Sequence, residues 1–392
     1  MVQNDLINMI KNHITFNDVS DWRFRLKKAE GSYVWDSNGK KLIDFTSGWN
    51  VTNLGWNHPE VNEAVAKQAL KNTYSLLWTT DETREALAHD LLSILPRELN
   101  AVARATGGTE ANEEAMKVAR AVTGRKKIIG FRDTYHGQSF GVMALGYRPE
   151  YVTAISPLLP DVTQIEFPST FKSGKSEKQT LDDFLNHLEQ LLKKRDLAAI
   201  VTEAGIITGW GSTYTAPKGY LKAVKKLTEE YGTLLILDEV GTGFSRCGKL
   251  FGMELEGVVP DIATFAKGLS NGAVAIGAMA VNDRIVEPTL AKTNLTSTFG
   301  WTPVACAAAL AVIKVHKRDK VWEVAQKHGE YMMQKLTESL SSHPLFEGNV
   351  RGIGMEIGVA FVKKGGKKET NPDFAKKLVD ACFERGLHIV HG

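Results

Sequence analysis

Cysteine, charge imbalance and long apolar runs are all scarce in this chain of 392 residues. The three cysteines, Cys247, Cys306 and Cys382, are widely separated and odd in number, so they suggest neither a disulfide framework nor a metal site. The formal net charge is only +3, and the basic residues are spread along the chain, which argues against nucleic acid as a partner. No apolar run reaches the ~18 residues of a membrane span. The opening stretch, MVQNDLINMIKNH, lacks the basic-then-apolar order of a signal peptide. No internal repeat is evident. The apolar fraction of 43% and charged fraction of 24% are those of a globular protein. The expectation is a cytoplasmic α/β protein of enzyme size, long enough for two domains with a large core.

From about residue 82 the sequence alternates helix and strand. Ala101–Ala105, Lys127–Phe131, Ala198–Thr202, Leu234–Leu237 and Ile262–Ala266 read as strands. The later ones are uniformly apolar, as strands covered on both faces of a parallel sheet are. Alternation of this kind implies a mostly parallel sheet with helices on both faces. Ser32–Phe45 reads as a hairpin turning at Asn38-Gly39, and residues 1–30 as an arm or short helix before it. Residues 171–180 and 363–371 read as polar surface loops. Past residue 305 the pattern changes to one long helix reaching about Ser341, a strand-like segment Val350–Val362 and a last helix near Phe374–Arg385. The expected division is residues 1–58 and 306–392 in a smaller α/β domain and 59–305 in a large one.

Chemistry is expected where strands end. In open α/β sheets ligands sit at the carboxyl ends of strands. There one strand delivers Asp238 and another Lys267, each followed by glycines. A lysine ending an apolar strand is costly when charged, so its pKa should fall, and a neutral lysine is the nucleophile that forms Schiff bases. Gly107-Gly108-Thr109, between a strand and a helix, is either an anion site at a helix N-terminus or a tight turn with a capping threonine. An amine, an acid and an anion site together suit pyridoxal 5'-phosphate, which needs a lysine for its aldehyde, a carboxylate for its ring nitrogen and a cradle for its phosphate. Tyr135 or His136 could stack on the ring, although core packing explains Tyr135 nearly as well. Trp49, Trp78, Trp210 and Trp301 would line an aromatic pocket if they converge, favouring an apolar or aromatic amine; they are also ordinary packing residues.

The blocks GGTEANEEAMKVAR, TYHGQSFG, PKGYLKAVKKLTEEYGTLLILDEVGTGFSR, PDIATFAKGLSNG and TSTFGWTPVACAAALA make the chain resemble the class III aminotransferases, pyridoxal-phosphate enzymes of fold type I, over nearly its whole length. The resemblance implies an aldimine on Lys267, Asp238 on the ring nitrogen, and Val240 against the ring face opposite Tyr135. It implies Gly108 and Thr109 at the phosphate, with His136 and Glu203 near the cofactor. Ser297 and Thr298 would reach the phosphate of a neighbouring subunit, making the active unit a homodimer. The implied reaction moves an amino group from an amino donor to a keto acid by a ping-pong path. The same lysine, aspartate and phosphate site would also serve a racemase, aminomutase or decarboxylase, and a non-catalytic binding protein is the reading from another class.

Several positions depart from the family pattern. Gly241 stands where a glutamine often bonds the cofactor's phenolic oxygen, so that contact is expected to be missing or replaced. Ala204 replaces a proline, residues 208–213 (TGWGST) replace a Gly-Glu-Gly run, and Trp301-Thr302 replace Gly-Asn. The C-terminal domain reads as shortened, without an arginine that often binds the substrate carboxylate. Arg23 and Arg25 are the alternatives for that task.

Overall fold

The computed structural model describes residues 24–211, 213–363 and 369–392, with 347–349 described by backbone only. Arg23, most of the expected N-terminal arm, Ser212 in the TGWGST segment and the centre of the 363–371 loop lie outside the described residues. Strands β1 (Leu26–Glu30), β2 (Tyr33–Asp36) and β3 (Lys41–Asp44) form an antiparallel meander. Part of the segment read as an arm or short helix is therefore strand β1. LKKAE faces solvent at every position but Ala29, so it lacks the alternation that announces a strand.

The large sheet follows in chain order with β4 (Ala101–Ala105), β5 (Lys127–Phe131), β6 (Val162–Ile165) and β7 (Leu197–Glu203). Beyond a two-residue pair, β8 (Ile206–Ile207) with β9 (Tyr214–Thr215), come β10 (Leu234–Asp238), β11 (Ile262–Phe265) and β12 (Gly277–Val281). Their spatial order is β4-β12-β11-β10-β7-β5-β6, and β12 alone runs antiparallel to its neighbours. Alternate residues of one strand enter two separate cores. Leu235 and Leu237 join the larger cluster with Ile200, Ala263 and Phe265, while Ile236 joins Val201, Ile262 and Met279 on the other face. Burial on both faces is why these strands are apolar throughout.

The long helix expected after residue 305 is two helices, Pro303–Asp319 and Val321–Leu340, broken at Lys320 in the left-handed region (φ 45). The first packs on the helices Pro59–Ala69 and Glu82–Ser93. Its Ala305, Ala308, Ala309, Val312 and Ile313 belong to the large core, so the expected boundary at 305/306 falls inside a large-domain helix. The segment read as one strand is the hairpin β13 (Phe346–Ile353) and β14 (Glu356–Phe361). After the helix Pro372–Glu384, β15 (Leu387–His388) joins β3 in parallel, so both ends of the described chain share one sheet. Residues 171–180 are not all loop: Ser176 and Gln179 form a reciprocal capping box that opens the helix Glu177–Leu192. No helix among the described residues is long and apolar enough to cross a membrane.

Candidate active site

The carboxyl ends of β4, β5, β7, β10 and β11 surround a cavity of about 320 Å³. Asp238, Glu203, Lys267, Gly108, Thr109, Tyr135, His136 and Val240 all line it. β10 pairs with β7 on one side and β11 on the other, placing Glu203 and Thr264 beside Asp238. Two residues past Thr264's neighbour Phe265, the chain turns sharply and Lys267 takes a left-handed conformation (φ 42). A non-glycine residue held there stores strain of order 1–3 kcal/mol, a cost found where a side chain must be aimed.

Asp238 is held on both oxygens. Oδ2 accepts a hydrogen bond from Asn112 Nδ2 (2.8 Å) and lies 2.6 Å from His136 Nδ1; Oδ1 accepts the Val240 N–H at 2.9 Å. Asn112 is oriented in turn, donating also to the His136 carbonyl and accepting from the Thr264 hydroxyl. Burial works to lower the His136 pKa, but the hydrogen bond to Asp238 and its charge raise it above the ordinary histidine value. Burial lowers the Lys267 pKa, with the Asp238, Glu203 and Glu356 charges opposing that shift. Burial pushes Glu203 up to about 7.

The helix Gly108–Thr123 begins at the cavity wall, and its first-turn N–H groups have no preceding helical carbonyl. Gly108 packs closely there: a Cβ would come within 3.1 Å of both Val240 methyls, which would have to shift. Gly137 (φ 132) packs against Thr109, where a Cβ would meet the threonine side chain and backbone. A cavity of this volume, with an anion-binding helix end at one side, an oriented carboxylate at another and a lysine with a depressed pKa between them, fits pyridoxal phosphate in size and donor set.

The remaining expected residues lie elsewhere. Thr298 is exposed and Ser297 buried, and neither lines the cavity of its own chain. Trp301 is a core residue whose Nε1 donates to the Gly277 carbonyl, so the four tryptophans do not converge. Trp78 is 81% exposed, and Trp49 also stands outside the cavity wall. Trp210 does not line the cavity but meets Tyr135, which does, edge to face at 5.7 Å. Arg25 is exposed and away from the cavity.

Sequence reasoning missed Asn112 and Thr208. Asn112 carried a signal, a polar residue within the apolar stripe of Ala111, Ala115, Val118 and Ala119. Thr208 carried none. It fills the space opened by Gly241, where a Cβ would fall 2.2 Å from its Oγ1, and donates to Glu203 Oε2 from both N–H (2.9 Å) and hydroxyl (2.5 Å).

The chain is similar to known proteins over nearly its whole length. Residues 16–391 match the family model described as aminotransferase class-III. The 5-aminovalerate aminotransferase DavT of Pseudomonas aeruginosa is 33% identical, over 93% of this chain and 85% of that protein. The acetylornithine aminotransferase of Archaeoglobus fulgidus is 32% identical, over 98% and 92%. Among solved structures, a thermostable (S)-enantioselective omega-transaminase from Thermomicrobium roseum superimposes with a TM-score of 0.90 at 30% identity, covering 99% of this chain and 91% of that one. A Bacillus anthracis aminotransferase does so with a TM-score of 0.90 at 28% identity, covering 99% and 90%. With its sheet, its lysine and its match over nearly the whole length, the chain belongs to the class III aminotransferases.

Proposed function

We propose that this aminotransferase binds pyridoxal 5'-phosphate in the cavity at the ends of β10 and β11 and works as a cytoplasmic homodimer. The observation that carries the reading is the placement of Asp238 and Lys267 at adjoining strand ends, facing one cavity with a glycine-opened helix beside it. When bound, the cofactor supplies an aldehyde that condenses with amines and a ring that accepts electrons from the adjoining carbon.

The chain supplies the rest. Gly108, Thr109 and the first-turn N–H groups would hold the phosphate, and Tyr135 and Val240 would flank the ring. Asp238 retains lone pairs beyond those used by Asn112, His136 and Val240, and it would accept a hydrogen bond from the protonated ring nitrogen. Burial leaves a larger share of Lys267 Nζ neutral at neutral pH, so it can take a proton from the substrate carbon and return it. Ser297 and Thr298 serve the second subunit's phosphate, which accords with their place outside their own cavity. The amino donor meets a partly apolar wall of Val51, Val274, Ala275 and Ile276, which suits an amine or amino acid with an apolar body. The relatives named for 5-aminovalerate and acetylornithine make terminal amines the first donors to try.

The test is spectroscopic. Protein mixed with pyridoxal phosphate should develop a visible absorption band, and an amino donor alone should convert it to pyridoxamine phosphate. Lys267→Ala should lose the band and at least about 10³-fold in rate. A full-strength band in Lys267→Ala would assign the bond to another amine.

A further inference from the structure

Three tyrosines close around one tryptophan beside the cavity. Tyr151 lies flat on Trp210, with ring centroids 5.3 Å apart and 5° between their planes. Tyr147 and Tyr135 each meet it edge to face, at 4.7 and 5.7 Å. Rings attract one another beyond simple burial at such separations and angles. Of the four rings only that of Tyr135 lines the cavity; the other three lie outside its wall.

Trp210 is itself fixed. Its Nε1 donates to the Thr134 carbonyl at 3.2 Å, so it holds the residue before Tyr135 as well as meeting the tyrosine ring. Its backbone is left-handed (φ 56), an uncommon and strained conformation for so large a residue. One residue earlier, a Cβ on Gly209 would fall 2.8 Å from the Tyr135 nitrogen, so the two backbones pack directly together. Further along, Arg351 Nε in β13 donates to the Thr213 carbonyl at 2.6 Å and ties the segment to the β13–β14 hairpin. The backbone around Tyr135 is constrained too, since the Thr134 hydroxyl donates to the Phe131 carbonyl and Gly137 packs on Thr109. What remains is the Tyr135 ring, 38% exposed, and the aromatic rings that restrain it are those of Tyr147 and Trp210.

We propose that Trp210 is a positioning residue that holds the Tyr135 ring against the cavity, so that a bound cofactor meets a preset wall. The inference rests on the cofactor reading for its use; the wedge itself belongs to the bare chain. Binding against a ring already held loses less conformational freedom than binding against one that rotates. Trp210 lies in TGWGST, where the chain departs from the family pattern, so the wedge is this chain's own.

Tyrosine-ring NMR of the full chain tests the wedge, read with pyridoxal phosphate bound and after its removal, with the Tyr135 signal assigned from Tyr135→Phe. Relaxation is the readout, because loss of the indole alters the chemical shift by itself. In cofactor-free wild type, Tyr135 should relax as an ordered ring. Trp210→Ala should mobilise it and weaken pyridoxal phosphate binding roughly three- to tenfold. Trp210→Phe, which keeps an aromatic edge, should recover most of both. Trp210→Leu keeps apolar bulk without a ring and serves if Trp210→Ala fails to fold; it too should mobilise Tyr135. In a Tyr135→Ala background there is no ring to hold, so Trp210→Ala should cost no further affinity. An unchanged Tyr135 relaxation on loss of the indole would overturn the proposal. So would an equal loss of affinity with and without Tyr135, which is what a merely structural tryptophan would give. A wild type that binds no pyridoxal phosphate would sink the cofactor reading, while the cofactor-free spectra would still decide the wedge.

Discussion

Lys267 shows how one position gathers several costs. Its backbone is left-handed, its amine is desolvated and its neighbours include two further acids besides Asp238. The strain and the desolvation cost stability, and desolvation lowers the amine's pKa against the pull of those acids. Glu114 is a cost of another kind. It is 2% exposed, its Oε2 has no partner among the described residues, and burial followed by the Glu110 charge pushes its pKa up to about 7. Between pH 4.5 and 7 the folded chain therefore keeps a proton that the unfolded chain has lost. Stability must fall as pH rises through that window and level off above it. Glu114→Gln should be more stable than wild type at pH 8 by about 2 kcal/mol, with the advantage gone near pH 4. Thermal melts at the two pH values would show it; an equal gain at both would place the cause outside the proton.

At the scale of elements, the paired strand and helix ends are where the chain is least tolerant. A Cβ on Gly130, next to last in β5, would lie 2.1 Å from the Leu145 carbonyl oxygen in the helix Phe140–Gly146. Both sides of that contact are backbone, so no rotamer change relieves it. Gly130→Ala should cost about 3 kcal/mol or more, read as a lower denaturant midpoint with the slope unchanged. A change under about 0.5 kcal/mol would mean that the helix shifts freely on the sheet. Elements of this sheet were legible wherever burial on both faces left an unbroken apolar run, as in β7, β10 and β11. Those that sequence missed carry weaker marks. β12 is five small or medium residues, GAMAV, within a Gly/Ala-rich stretch, and neither its composition nor an alternation marks it as a strand. The break at Lys320 has neither proline nor glycine to announce it. In the site, Asp238 and Lys267 were legible because each is a charge set against apolar strand residues. Thr208 was not, because its place opposite Gly241 comes from folding and not from any local pattern.

Across the whole molecule, the apolar surface is unevenly distributed. Tyr74, Leu76, Trp78 and Phe299 are exposed, and Tyr74 joins the group to Phe299 through a ring contact and to Thr298 through a hydrogen bond. The segment carrying them is held in place, since Arg84 donates to the carbonyls of Ser75, Leu76 and Thr79 and Arg104 to that of Leu77. In the proposed homodimer, this fixed apolar patch beside Thr298 is the surface a second copy of the chain would cover. Phe299→Glu should shift sedimentation from dimer towards monomer and weaken pyridoxal phosphate binding at least about tenfold. A stable dimer with unaltered binding would place the subunit contact elsewhere.

The order of strands in the large sheet has a consequence for synthesis. β4 leads directly into the glycine-opened helix at the cavity, yet among the described residues it pairs with β12 alone, and β12 begins only at Gly277. At ribosomal speeds of about 5–20 residues per second, the nascent chain carries β4 unpaired for on the order of ten seconds or longer. Until β12 slots between β4 and β11, both of those strands expose an edge that another chain could join. In that step the strand leading to the helix start joins the same sheet as the strand leading to the lysine. A bound cofactor could therefore reward only a completed sheet, and a ribosome stalled before Val281 would release a chain suited to chaperones.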